Sequence, residues 1–325
     1  MRPDAGPAGA GSRAGLALAA GTALVSGVAV FVNSYGVHAI PSPAVYTTAK
    51  NLVAFVLLAG VALVSRRVPA LDGFARPLPA TDTPPRRGPM AWIALAYIGV
   101  VGGGVAFVLF FEGLARTTAT PAAFWHDTTV VWVALLAPAV LAERVRWWNA
   151  AAIAVLVSGQ IVLTHGVGRL AADEGEMLVL AATVLWSLEV VVAKWVLRGR
   201  SAAQVSLVRM GVGGAVLLVY LGASGSMHGL VSLGPSQLSW ALLTGGLLAA
   251  YVATLMSALA RARALDVSSV LVASVFVTAL LEDAAGTAHL SGQLVGLALV
   301  VAGAGLVLAM GLRARTPAAV REGRR

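Results

Sequence analysis

Residues 90–111 read MAWIALAYIGVVGGGVAFVLFF, a stretch without a charge until Glu112. A helix rises 1.5 Å per residue, so ~20 apolar residues cross the hydrocarbon core of a bilayer. The apolar residues run on without the alternation of a barrel strand. In lipid a segment of this kind has to satisfy its own backbone polar groups, which a helix does. Nine further stretches behave alike, at approximately 14–36, 44–64, 119–141, 149–166, 176–197, 203–222, 238–259, 266–286 and 293–312. Numbered in order, with 90–112 as the third, they are spans 1 to 10 of an all-α integral membrane protein. The 325 residues are 58% hydrophobic and 11% charged, against ~25% charged in a soluble domain. That shortage excludes an ordinary cytosolic enzyme and a disordered chain. It also excludes a nucleic-acid binder, despite a net charge of +9. Cysteine is absent, so disulfides and thiolate metal sites are excluded too. The first apolar run is too long for a signal peptide and has no clear cleavage site after it, so it is kept as a span.

The basic residues give the orientation. Of 23, eighteen fall at the two ends and in alternate connections, from Arg2 and Arg13 through the cluster Arg66–Arg87 to Arg313–Arg325. The other connections hold Arg116 and Arg169, and Lys50, Lys194 and Arg209 lie inside spans. Basic connections stay cytoplasmic, so a multi-pass protein of the cytoplasmic (inner) cell membrane is expected, with both termini cytoplasmic. Its positive charge then faces anionic lipid. Trp92, Trp147, Trp148, Trp195 and Trp240 fall at span ends, as an aromatic belt does.

The second half echoes the first. Leu114-Ala115-Arg116 closing span 3 returns as Leu259-Ala260-Arg261 closing span 8. Lys50 in span 2 has its counterpart in Arg209 of span 7. Ala142-Glu143-Arg144 with Gly159 matches Gly286-Thr287-Ala288 with Gly303 in spacing. Five spans is an odd number, so the second copy enters from the opposite side. The expected organisation is two inverted five-helix repeats, 1–170 and 171–325, with a solute site between them near the midplane. These residues resemble the drug/metabolite transporter superfamily, specifically its ten-helix EamA-type members. The features carrying the resemblance are a basic residue early in spans 2 and 7, the Glu143-Arg144 pair closing span 4, and Gly159. The sequence departs from the family pattern at Thr287, where the Glu usually recurs. The resemblance implies a small-molecule carrier whose cavity is bordered by spans 1, 3, 4, 6, 8 and 9, and it names no solute.

Within the spans, polar residues mark the candidate cavity. Trp125, Thr128, Thr129 and Trp132 share a face of span 4 at helical spacing. Ser274, Thr278 and Glu282 form a stripe on span 9. Thr244, Tyr251 and Thr254 align on span 8, and Thr22, Ser26 and Asn33 on span 1. Trp186 lies one turn from Glu189 on span 6. Span 10 is nearly devoid of polar atoms and reads as peripheral. The bland alternative is hydroxyls bonding their own i−4 carbonyls, but a carboxylate such as Glu189 or Glu282 does not face lipid unpaired. Depth and sign allow Lys50 to pair with Asp127 or Glu282, and Arg209 with Glu189. His126, beside Asp127, and Glu282 are candidates for proton coupling. Glu143 is a candidate structural or gating contact at the cytoplasmic side. The runs Gly99/Gly102–Gly104 and Gly211/Gly213/Gly214 favour close helix approach.

The reading is a secondary transporter exporting a small metabolite or an amphipathic, partly aromatic compound by alternating access. Its partners are the solute, the bilayer and, as candidate coupling ion, the proton. No cofactor, metal or nucleic acid is expected, and the oligomeric state is unassigned. No G-x-x-x-x-G-K-[ST] sequence occurs to support ATP hydrolysis. The alternatives are an uncoupled facilitator or channel, and a rhomboid-like intramembrane protease using Ser224 of Gly222-Ala223-Ser224-Gly225 with His228.

Overall fold

The computed structural model describes residues 8–40, 42–65, 67–68, 71–77, 88–143, 145, 147–163, 173–287 and 294–313. They form α1 (Ala8–Ala39), α2 (Pro43–Ser65), α3 (Asp72–Ala75) and α4 (Pro89–Tyr97), which continues through a π-helical segment (Ile98–Val105) into α5 (Ala106–Leu114). Then follow α6 (Ala119–Asp127), α7 (Thr129–Leu141), α8 (Trp147–Leu163), α9 (Glu174–Val196) and α10 (Ala202–Ala223). The chain ends with α11 (Met227–Val231), α12 (Pro235–Arg261), α13 (Ala264–Leu271), α14 (Ser274–Ala284) and α15 (Leu294–Arg313). No strand occurs among the described residues. Eight helical segments are long and apolar enough to cross a bilayer, with α8 and α15 holding shorter apolar stretches over Asn149–Gly159 and Leu294–Leu306.

Local signals set the ends. Asp173 precedes α9 and accepts the Glu176 backbone N–H at 2.8 Å. Ser201 and Gln204 form a reciprocal capping box at the start of α10, both bonds 3.1 Å. Pro43 and Pro235 open α2 and α12 at the position where proline loses no helical bond.

Spans 3, 4 and 9 are not uniform helices. Span 3 is wound as a π-helix around its glycines. Span 4 breaks at Thr128, between α6 and α7, and span 9 breaks at Val272–Ala273, between α13 and α14. The half-helices meet in register, α6 packing on α14 and α7 on α13. The glycine runs serve the close approach expected of them. Gly103 lies against the Arg209 carbonyl and Gly213, and a Cβ on either glycine would overlap backbone of the other helix. The outermost helices α8 and α15 pack chiefly on each other.

Candidate functional site

Two cavities lie along the middle of the bundle. The first encloses about 510 Å³ of space free of protein atoms, counting its mouth. Ser26, Val30 and Asn33 of α1, Lys50 of α2, Phe107, Phe110 and Phe111 of α5 and His126 of α6 form one side. Trp186 of α9, Arg209 of α10 and Leu248 and Tyr251 of α12 form the other. Spans 2 and 7 thus reach the wall through their basic residues, which the expected border of spans 1, 3, 4, 6, 8 and 9 omitted. The aromatic side chains pack on one another: Phe107 lies edge-on and Phe110 tilted to the Trp186 ring, each at 5.2 Å, and Phe110 lies edge-on to His126 at 5.7 Å. The Trp186 indole N–H donates to the Gly102 carbonyl of the π-helical segment at 2.9 Å, which fixes the ring in the wall.

The two basic residues are each the eighth of their helix, and each meets a polar residue of the preceding long helix. Arg209 forms a fork with Glu189 of α9, Nε to Oε1 at 2.5 Å and Nη2 to Oε2 at 3.1 Å, both side chains 3% exposed. Its guanidinium also lies over the Phe107 ring. This is the pair that depth and sign suggested. Lys50 differs. Only 2% of it is exposed, its Nζ donates to Asn33 Oδ1 at 2.6 Å, and it lies 4.1 Å from the centre of the Phe111 ring. Tyr46 donates to the same Asn33 oxygen. The expected partners Asp127 and Glu282 are not within ion-pair distance of Lys50; among the described residues its neighbours are an amide and two aromatic rings. A desolvated cation–π contact contributes ~2 kcal/mol, whereas burying an ion costs several kcal/mol. Among the described residues nothing offsets the cost of a charge on Lys50.

The second cavity, about 400 Å³ of space free of protein atoms counting its mouth, shares His126, Trp186 and Tyr251 with the first and continues past Asp127, Thr129 and Val190 to Val267 and Ser268 of α13. His126, Trp186 and Tyr251 are thus a partition between two chambers. Asp127 ends α6 at the break in span 4. Ser274, the first residue of α14, donates its hydroxyl to the Asp127 carboxylate at 3.0 and 3.1 Å. A carboxylate at a helix N-terminus is favoured by the orphan N–H groups there. His126 Nδ1 lies 3.6 Å from Asp127 Oδ1 and makes no hydrogen bond.

The remaining expected residues lie elsewhere. Because span 4 breaks at Thr128, its stripe does not continue as one face. Trp125 donates to Glu176 of α9 at 3.0 Å, and the Thr128 hydroxyl bonds the Trp125 carbonyl. The Trp132 indole N–H is buried without a partner, and Trp125, Thr128 and Trp132 line neither cavity. Thr278 donates to the Gly27 carbonyl of α1 and Glu282 is buried in α14, so the span 9 stripe packs against neighbouring helices. Thr22, Thr244 and Thr254 bond their own i−4 carbonyls. Glu143 accepts the backbone N–H groups of Ala264 and Leu265 at 3.1 and 3.3 Å, capping α13 from the end of α7, with Arg263 at 3.8 Å. It is aimed there by Ala142, whose left-handed φ of 55° ends α7. The Ser224 hydroxyl bonds the Leu221 carbonyl in the turn after α10, and no hydrogen bond joins it to His228 among the described residues. That is a helix-ending turn, not a nucleophile with its base.

Fold and site together define a polytopic helical membrane protein with a central polar-aromatic chamber. The EamA-like transporter family matches residues 13–164 and 173–309. The chain belongs to that family. An uncharacterized transporter of Methanothermobacter thermautotrophicus is 30% identical over 135 residues, which is 40% of this chain and 39% of that protein. The chain thus spans about two fifths of the length of that relative. One solved crystal structure superposes with a TM-score of 0.65 at 17% identity, over 93% of this chain and 99% of its own, which fixes the fold alone.

Proposed function

We propose that the protein is a secondary transporter that exports a small amphipathic or aromatic solute by alternating access between two inverted repeats, 1–170 and 171–325. The observation that carries this reading is the first cavity. Its wall takes Asn33, Lys50 and Phe110 from one half and Trp186, Arg209 and Tyr251 from the other. A ligand there contacts both halves, so rocking one against the other changes its access. The partition of His126, Trp186 and Tyr251 separates the two chambers, and the Glu143 cap on α13 ties down one end of the bundle.

The arginine asymmetry supports an inner-membrane orientation with both termini cytoplasmic. The native chain has no cysteine, so single cysteines report cleanly. Gly229→Cys and Ala171→Cys are expected to react with an impermeant thiol reagent on intact cells, and Ala80→Cys and Thr316→Cys only after permeabilisation. Labelling of Ala80→Cys in intact cells overturns the orientation.

Protons are the proposed coupling ion. Of the two buried carboxylates Asp127 and Glu282, Asp127 faces a cavity and links the two broken spans, whereas Glu282 lines neither cavity. The test begins with a solute screen by thermal shift, since binding raises stability by mass action. Solutes found are then followed in proteoliposomes under an imposed pH gradient. Asp127→Asn keeps an acceptor for Ser274 and is expected to abolish concentrative transport while leaving binding and exchange intact. Glu282→Gln is expected to transport as the parent does. Concentrative transport by Asp127→Asn removes Asp127 from coupling. A parent that equilibrates solute but never concentrates it is an uncoupled facilitator.

A further inference from the structure

The two halves treat their equivalent basic residues differently. Arg209 is met by a carboxylate, Glu189, and its charge is cancelled within the wall. Lys50, at the same place in its own helix, is met by the neutral amide of Asn33. No carboxylate lies among the described residues lining the first cavity, so its wall offers Lys50 no counter-ion. An ammonium has three N–H donors, and Lys50 uses one on Asn33. Asn33 turns its oxygen to Lys50 and Tyr46, which leaves its amide N–H2 as a further donor beside the same space. Around this corner the cavity is aromatic, with Phe107, Phe110, Phe111 and Trp186.

We propose that the solute is an amphipathic organic monoanion, a carboxylate with an apolar or aromatic body, whose carboxylate rests on Lys50 and Asn33. The inference builds on the carrier reading and names its substrate class. A carboxylate supplies the counter-charge that the fold withholds, in a site where a charge-assisted hydrogen bond is strong. The apolar body replaces water against the ring cluster. A phosphate dianion fits less well, because the second cation is already held by Glu189.

The test uses the full-length protein in lipid nanodiscs and three probes of one shape: 3-phenylpropionate, 3-phenylpropionamide and 3-phenylpropylamine. Calorimetric titration of the parent is expected to show the carboxylate binding at least tenfold more tightly than the amide, with the amine weakest. Asn33→Asp gives Lys50 a built-in counter-ion. It is expected to melt no lower than the parent and to lose the preference. Lys50→Met is expected to lose it too, and Lys50→Arg to retain most of it. Should Lys50→Met fail to fold, Asn33→Asp decides alone. Amide or amine binding as tight as the carboxylate overturns the anion site and leaves the carrier reading standing, as does an Asn33→Asp protein that keeps the preference. Binding of none of the three also overturns the anion site, and the carrier reading is then judged by the solute screen.

Discussion

Arg209→Met is expected to destabilise the protein by ~3–5 kcal/mol, because it leaves the Glu189 carboxyl group buried with its partner gone. The Arg209–Glu189 fork has two parallel bonds, and both side chains are 3% exposed. A protein of about 150–250 residues loses ~2–4 °C of melting temperature per kcal/mol and a longer chain less, so the detergent-solubilised protein should melt several degrees lower. Removing both charges together is expected to restore much of the loss, since an apolar pair of similar volume is often as stable as a buried ion pair. The cycle Arg209→Met, Glu189→Leu and the double variant measures this. If each single change costs less than ~1 kcal/mol, the pair is not the buried contact described above.

Gly103→Val is expected to cost at least ~3 kcal/mol or to prevent folding. Overpacking a close-packed interior ordinarily costs ~1–3 kcal/mol through side chains that shift aside. Here the facing atoms are the Arg209 carbonyl and the Gly213 backbone, which cannot rotate away. The added side chain forces α10 off the π-helical segment, and Arg209 moves with it away from Glu189. Gly60→Val is the control, because nothing lies within 4 Å of a Cβ at Gly60; it should fall within ~1 kcal/mol of the parent. Equal melting of the two variants would show that the glycine run is not a helix contact. Folding yield and melting temperature in detergent both read the difference.

The helical spans were legible in the sequence because hydropathy and the arginine pattern both report on lipid, and lipid acts on every residue of a span. The Arg209–Glu189 pair was legible for a related reason: sequence position gives depth, and depth with opposite sign brought these two together. Depth does not give the direction a side chain takes around its helix. That is why Lys50, at a depth shared with Asp127 and Glu282, is found on Asn33 instead. The polar face drawn through Trp125, Thr128, Thr129 and Trp132 assumed an unbroken helix, and the break at Thr128 sends Trp125 to Glu176. Sequence reasoning missed the aromatic wall of Phe107, Phe110 and Phe111, because lipid-facing and cavity-facing phenylalanines look alike in a run of apolar residues. The contact of Trp186 with Gly102 was hidden too, since it depends on where the π-helical winding leaves a carbonyl.

That winding sets the phase of everything after it in span 3. Successive residues of an α-helix are turned by about 100° about its axis, and a π-helix holds more residues per turn. Gly99, Gly103 and Gly104 must face α10 while Phe107, Phe110 and Phe111 face the chamber. Rewinding the segment as an α-helix with its residue number unchanged would turn the three rings about the axis relative to Gly99 at its start. Either the rings would leave the chamber or the glycines would leave α10. The winding of this segment is therefore as constrained as its residue types, and a change of winding there acts on the chamber wall without touching any residue that lines it.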